Sequence, residues 1–242
     1  MLNEYVVIDM EMTGLSARKD KILEIGAVRI KDGTVEDEYQ TLVNPNVEIR
    51  ERITDITGIS TDMVQDKPLV GEILQDFFQF IGESVLIGHS LIYDYSFMMQ
   101  AAYDNKMYDM FKRKWYGIDT LKITKKNVPE GEEKTLSALC TKYGISDEGH
   151  HRALNDVYMT NRLYVKLCEE FEKDGKVFVA EEYVYKPKKD REPTQKEIQN
   201  VERLIKNLKI KPEVDIYKMS QSELSRYANY IRFNQYTLAG KQ

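Results

Sequence analysis

The chain is poor in the residues that build stapled or metal-knuckled modules. Its 242 residues include only two cysteines, Cys140 and Cys168, in no CxxC or Cys/His ligand spacing. That excludes a disulfide framework and a structural zinc site. No apolar run approaches the roughly 18 residues that cross a bilayer. Glu4 and Asp9 stand in the first ten residues, where a signal peptide would be basic and then apolar. These absences predict a protein with no membrane association in a reducing, cytoplasmic setting. A Gly-rich phosphate cradle of the GxxxxGK[ST] type is missing too. Histidine is scarce, with three in the whole chain.

What is present is ordinary globular material: 42% apolar, 31% charged and 10% aromatic residues, enough for one large domain and an appendage. The net charge of −5 is unevenly spread. Residues 1 to 181 carry 22 Lys+Arg against 32 Asp+Glu, whereas residues 182 to 242 carry 13 against 8. A basic tail on an acidic body is either a polyanion surface or the solvated exterior of a small helical module.

The first 43 residues read as strands at 5–10, 22–30 and 34–43, with Lys31-Asp32-Gly33 turning between the last two. Helical spacing predicts helices over 69–81, 95–103, 135–143 and 153–171, with short buried strands at 85–88 and 115–119 between them. The result is an α/β domain with a mixed sheet. We place it at 1–175, an extension and linker at 176–193, and a small helical module at 194–242. In that module Thr194 with Glu197 and Ser220 with Glu223 repeat the S/T-x-x-E capping pattern. Tyr227, Tyr230, Phe233 and Tyr236 recur there every third residue beside Arg226 and Arg232, as either helix-pair core or a base-stacking stripe.

The chemistry concentrates in three segments. In Ile8-Asp9-Met10-Glu11 an apolar strand ends in two acids that period-two geometry points to one face, about 6–7 Å apart. Such a pair repels unless a cation neutralises it, and hard oxygen ligands suit Mg²⁺ or Mn²⁺. In His89-Ser90-Leu91-Ile92-Tyr93-Asp94, Asp94 stands at a helix start, where an ionised carboxylate is favoured with or without a metal. In His150-His151-Arg152-Ala153-Leu154-Asn155-Asp156, two histidines precede the long helix and Asp156 lies in its first turns. All three histidines fall in the last two segments. Two metals clamped by carboxylates, with an imidazole base nearby, suit in-line displacement at phosphorus. By themselves the residues point to metal-dependent phosphoryl transfer.

These segments resemble the motifs of the DEDDh 3′–5′ exonucleases, in the same order. Asp9-Met10-Glu11-Met12-Thr13-Gly14 matches D-x-E-x-T-G, and His151 to Asp156 matches H-x-x-x-x-D. In texture the chain is similar to the epsilon-type proofreading exonucleases of bacterial DNA polymerase III. The resemblance implies an RNase H-like fold with a five-stranded mixed sheet. It also implies two Mg²⁺ ions (or Mn²⁺ as substitute) on Asp9, Glu11, Asp94 and Asp156, His151 as general base, and Met12, Thr13, Gly14, Leu15 and His89 against the terminal nucleotide. It implies release of nucleoside 5′-monophosphates from a single-stranded 3′ end, DNA in preference to RNA, and a DNA polymerase as partner. RNA trimming by the same site, and a binding module without catalysis, are the alternatives. His89 to Asp94 departs from the common H-N-A-x-F-D in its middle, and residues beyond about 190 fall outside the resemblance.

Overall fold

The computed structural model describes residues 1–146, 152–175, 177–187, 191–212 and 214–239, without the side chains of 174, 226 and 233–239. The chain divides into two compact units, Met1–Pro45 with Arg50–Pro187 and Asn46–Ile49 with Lys188–Gln242.

The first unit is organised by strands β1 (Glu4–Met12), β2 (Ile22–Lys31), β3 (Thr34–Leu42), β4 (Leu86–Gly88), β5 (Trp115–Asp119) and β6 (Glu181–Tyr183), in the order β3-β2-β1-β4-β5-β6. The first three form an antiparallel meander. Asp32 (φ 48°) and Gly33 (φ 76°) make its tight β2–β3 turn, and both adopt the left-handed conformation a two-residue hairpin asks for. β1 pairs parallel to β4 and β4 parallel to β5. The sheet has six strands where five were expected. The extra one is β6, which pairs antiparallel with β5 through Trp115 and Tyr183. It comes from the β-rich stretch after the long helix, where only three residues find ladder partners.

Helices α1 (Glu51–Thr57), α2 (Thr61–Val64), α3 (Val70–Ile81), α4 (Ile92–Asp104), α5 (Thr120–Asn127), α6 (Leu136–Lys142) and α7 (Ala153–Phe171) complete the unit. The alternation of β1 splits its side chains between two cores. Val6, Ile8 and Met10 pack with Phe77 and Ile81 of α3 and Phe97 and Met98 of α4. Tyr5 and Val7 pack on the opposite face with Leu139 of α6 and Val157, Leu163 and Leu167 of α7. Each such fully buried side chain contributes roughly 1.5–3 kcal/mol. Helices therefore cover both faces, and β1, apolar on both, is an interior strand. Asp9 and Glu11 continue the face of Tyr5 and Val7, the face that α7 covers.

The second unit contains α8 (Gln195–Asn207) and α9 (Gln221–Ala239). Its core is Val201, Ile216, Leu224 and Ala228, with Ile198, Leu204, Ile205 and Tyr227 packed on it. Both predicted capping pairs form: Glu197 N–H donates to the Thr194 hydroxyl while Thr194 N–H donates to Glu197, and Ser220 and Glu223 exchange the same bonds. The tyrosine series divides here, since Tyr227 packs on the core and Tyr230 is exposed. The side chains of Phe233 and Tyr236 lie outside those described.

Candidate active site

Strand β1 brings Asp9 and Glu11 to one face, and the first turns of α7 bring Asp156 to the same place. One carboxylate oxygen from each of the three lies within 4.8 Å of the others. Asp156 is buried, and Asp9 and Glu11 are half-buried. Asp94 stands outside that 4.8 Å set but is anchored beside it. β4 pairs with β1 only at Val6 and Val7, so further along that edge the β1 backbone has no strand neighbour. Asp94, buried in the first turn of α4, fills the gap: its Oδ1 accepts the Met10 N–H at 3.0 Å, between the two β1 acids. His151 and its neighbour His150 lie outside the described residues.

The electrostatics are those of crowded anions. Burial first, and then the charges of Asp94, Asp156, Glu11 and Glu24, hold Asp9 well above the carboxylate range. Burial pushes Glu11 up to about 7; Asp156 and Glu24 add to it and Arg152 opposes. Asp94 is also raised well above its usual value, chiefly by burial, with Asp119 and Glu11 adding to the effect against the hydrogen bond from Met10. Protons or cations must neutralise such a cluster. Its donors, carboxylate oxygens from two elements within reach of a common point, fit a hard divalent ion such as Mg²⁺ or Mn²⁺.

This gives a pH dependence. In the folded, metal-free chain Glu11 keeps its proton to about pH 7, whereas unfolded it loses it near 4.5. Between those values the folded state binds more protons, so rising pH favours unfolding. Glu24 has the opposite sign and matters only below its ordinary value of 4.5. The EDTA-treated protein is expected to melt several degrees lower at pH 8 than at pH 5.5, at roughly 2–4 °C per kcal/mol for a chain this long. Excess Mg²⁺ should remove most of that difference. A flat or rising melting temperature in EDTA would contradict the assignment.

Two residues that the sequence reading passed over hold α7 in place. Glu24, opposite Glu11 in the β1–β2 register, is fully buried yet accepts four hydrogen bonds. They come from Gln40 Nε2 at 2.9 Å, Arg152 Nε at 3.0 Å, Arg152 Nη2 at 2.8 Å and the Ala153 N–H at 3.2 Å. Burial alone would raise its pKa, but the Arg152 and Gln40 bonds and the Ala153 N–H outweigh it and keep Glu24 below its ordinary value. The bidentate guanidinium and the helix N-terminus both favour its ionised form. Gly26 is opposite Asp9, and a Cβ there would meet Ala153 C at 2.5 Å and Leu154 N at 2.6 Å. The missing side chain lets the start of α7 lie on β2, one strand from the acids it completes. An acid inside the Leu23-Glu24-Ile25 strand run, followed by a glycine, was the available signal.

The remaining expected residues lie at or just past the ends of β1 and β4. A register shift follows Glu11, and Met12 packs into the core on the α3–α4 side. The loop beyond closes at its neck: Thr13 N–H donates to Lys21 O and Lys21 N–H to the Thr13 hydroxyl, both at 2.9 Å. A Cβ on Gly14 would run into the Asp20 carboxylate. Leu15, at the tip, is 73% exposed. The His89 ring is held at both nitrogens, Nδ1 with the Thr120 hydroxyl at 2.9 Å and Nε2 with Lys134 O at 3.0 Å. Burial lowers its pKa. Ser90 sits at φ 67°, where Asn, the common residue at that motif position, is less strained; its N–H donates to Asp119 Oδ1 at 3.0 Å.

Compared with known proteins, residues 6–164 match the RNase_T family model, described as exonuclease. The chain belongs to the exonuclease family. It is 37% identical over 175 residues to the PolC-type DNA polymerase III of Clostridium perfringens, covering 70% of this chain but only 12% of that protein. It is 32% identical over 169 residues to the DNA polymerase III subunit epsilon of Aquifex aeolicus, covering 69% of this chain and 81% of the subunit. Escherichia coli exonuclease I, solved in complex with a dT13 oligonucleotide, superposes with a TM-score of 0.63 at 16% identity, over 72% of this chain and 43% of that one. The exonuclease's open mixed sheet and flanking helices are thus RNase H-like, and its resemblance to epsilon-type enzymes is a family relation.

Proposed function

We propose that the chain is a 3′–5′ exonuclease that shortens DNA from a single-stranded 3′ end and releases nucleoside 5′-monophosphates. The observation that carries this is the convergence of Asp9, Glu11 and Asp156 oxygens within 4.8 Å on a strand and a helix that are distant in sequence. Asp9, Glu11, Asp94 and Asp156 would hold two Mg²⁺ ions, with Mn²⁺ as substitute. Bound there, the ions would supply charge neutralisation and Lewis-acid polarisation at the scissile phosphodiester. The protein's own part is positioning. Asp94 ties α4 to β1, Glu24 and Gly26 seat α7, and Leu15 offers an apolar platform for a terminal base at the end of a loop pinned by Thr13. His89, held by Thr120 and Lys134, would shape the floor of the nucleotide pocket. His151 would take the proton of the water whose oxygen bonds to phosphorus while the phosphorus–3′-oxygen bond breaks, and the freed 3′ oxygen would take up a proton and leave as a hydroxyl. The relatives' names support a DNA polymerase as partner; the scarcity of cysteine supports a reducing, cytoplasmic setting.

Purified protein with Mg²⁺ and 3′-labelled single-stranded DNA should release labelled mononucleotide, and a 5′-labelled strand should shorten in single steps. Internal cuts, or no release with either Mg²⁺ or Mn²⁺, would refute the proposal; faster cleavage of a matched RNA would move the assignment to RNA. His151→Ala should slow turnover about 10²–10⁴-fold, the usual contribution of a general base. Because the proposed role is proton transfer, the Mg²⁺ concentration for half-maximal stabilisation should stay within about twofold.

A further inference from the structure

The second unit has its own surface chemistry. Residues 188 to 242 hold 12 Lys+Arg against 7 Asp+Glu, and the family model ends at residue 164. On α8 the charges are sorted. Ile198, Val201, Leu204 and Ile205 face the unit's core, while Lys196, Gln199, Asn200, Arg203, Lys206 and Asn207 are all exposed. At about 100° per residue those six fall within an arc of roughly 120° containing no acid. The two acids of the helix are engaged elsewhere. Glu197 takes a bidentate hydrogen-bonded pair from Arg191, at 2.7 and 2.9 Å, and Glu202 accepts the Tyr217 hydroxyl. Among the described residues, Lys196, Arg203 and Lys206 have no ion-pair partner. Lys209 and Lys211 continue the positive run just past the helix end, both exposed.

A merely soluble helix intersperses both signs and pairs them at i,i+4. Here three uncompensated cations interleaved with amides make a surface that suits an extended polyanion, with the cations meeting phosphates and the amides reaching sugar or base edges. From Lys196 to Lys206 the face runs about 15 Å, enough for roughly four nucleotides at ~3.4 Å each.

We propose that this face of α8 binds the phosphate backbone of single-stranded DNA and keeps the strand on the enzyme between cleavage events. The choice of DNA as the polyanion rests on the proposed exonuclease function; the positive surface itself does not. The test uses the full-length chain with Asp9→Ala in EDTA, so that nothing is cut, and fluorescent dT30 titrated at several salt concentrations. Replacing Lys196, Arg203 and Lys206 together by Gln should weaken dT30 binding about tenfold or more at 50 mM salt. It should also reduce the slope of log K against log salt by about 2, since each phosphate contact on a single strand contributes ~0.7. Restoring positive charge with Lys196→Arg and Lys206→Arg should preserve both. In the otherwise intact enzyme the Gln variant should cleave a trinucleotide within twofold of the parent rate while becoming distributive on dT30.

Unchanged affinity and slope would overturn the proposal, and so would equal losses on trinucleotide and dT30. If the parent enzyme cleaves nothing, the exonuclease reading fails, and the dT30 titration still decides whether this face binds the strand.

Discussion

Asp9→Ala is expected to lower exonuclease turnover about a thousandfold or more while leaving the metal-free protein at least as stable as the parent. The first half follows from the cluster's chemistry. Asp9 shares its position with Glu11 and Asp156, and losing one ligand removes several kcal/mol of charge stabilisation, where roughly 4 kcal/mol is a thousandfold in rate. The second half follows from repulsion. Asp9 is disfavoured as an anion by burial and by Asp94, Asp156, Glu11 and Glu24, so its removal relieves the fold at pH 8. Melting curves in EDTA and in Mg²⁺ separate the two effects: the variant should match or exceed the parent without metal and gain much less from its addition. A melting temperature several degrees below the parent in EDTA would mean that Asp9 is a structural group.

Gly26→Ala is expected to damage stability and activity together. The added methyl would meet backbone atoms of Ala153 and Leu154 at 2.5–2.6 Å, and no rotamer change moves a backbone. Overpacking of this kind costs about 1–3 kcal/mol, occasionally more, which at 2–4 °C per kcal/mol lowers the melting temperature by roughly 2–12 °C. The strain is relieved by lifting the start of α7 from β2, and Asp156 rides on that turn. A displacement of ~1 Å can cost about 10²-fold in rate, so kcat should fall while the DNA affinity of Gly26→Ala, measured in EDTA, stays unchanged. A variant with parental melting temperature and turnover would show that α7 is seated by other contacts.

Much of the architecture was legible because short-range periodicities carry it. The apolar run Val6-Val7-Ile8 marks the strand, and the one-residue spacing of Asp9 and Glu11 puts both acids on one side of it. The span 153–171 read from the sequence is the observed span of α7. What escaped was tertiary in origin. Glu24 meets Arg152 across a separation of 128 residues, and the acid in the Leu23-Glu24-Ile25 run marks an anomaly without naming that partner. Gly26 reads as a weak point in a strand until the backbone it accommodates is known. β6 is a three-residue edge defined by its neighbour β5 rather than by its own composition. Asp94 was expected among the acids for its place at a helix start, but its bond to the Met10 N–H depends on where β4 stops. The arrangement of cations on α8 was hidden in a net charge, because only helical phase shows that Glu197 and Glu202 leave the outward arc free of acids.

The hairpin partner β3 lies at the margin of the sheet with Thr34, Val35, Glu36, Asp37 and Glu38 exposed in succession. An unpaired strand edge invites a second chain to extend the ladder, and a row of three carboxylates makes such a neighbour self-repelling. The β3 edge of the sheet is thereby closed to fibril-like stacking, so concentrated solutions of the protein should stay free of edge-paired oligomers.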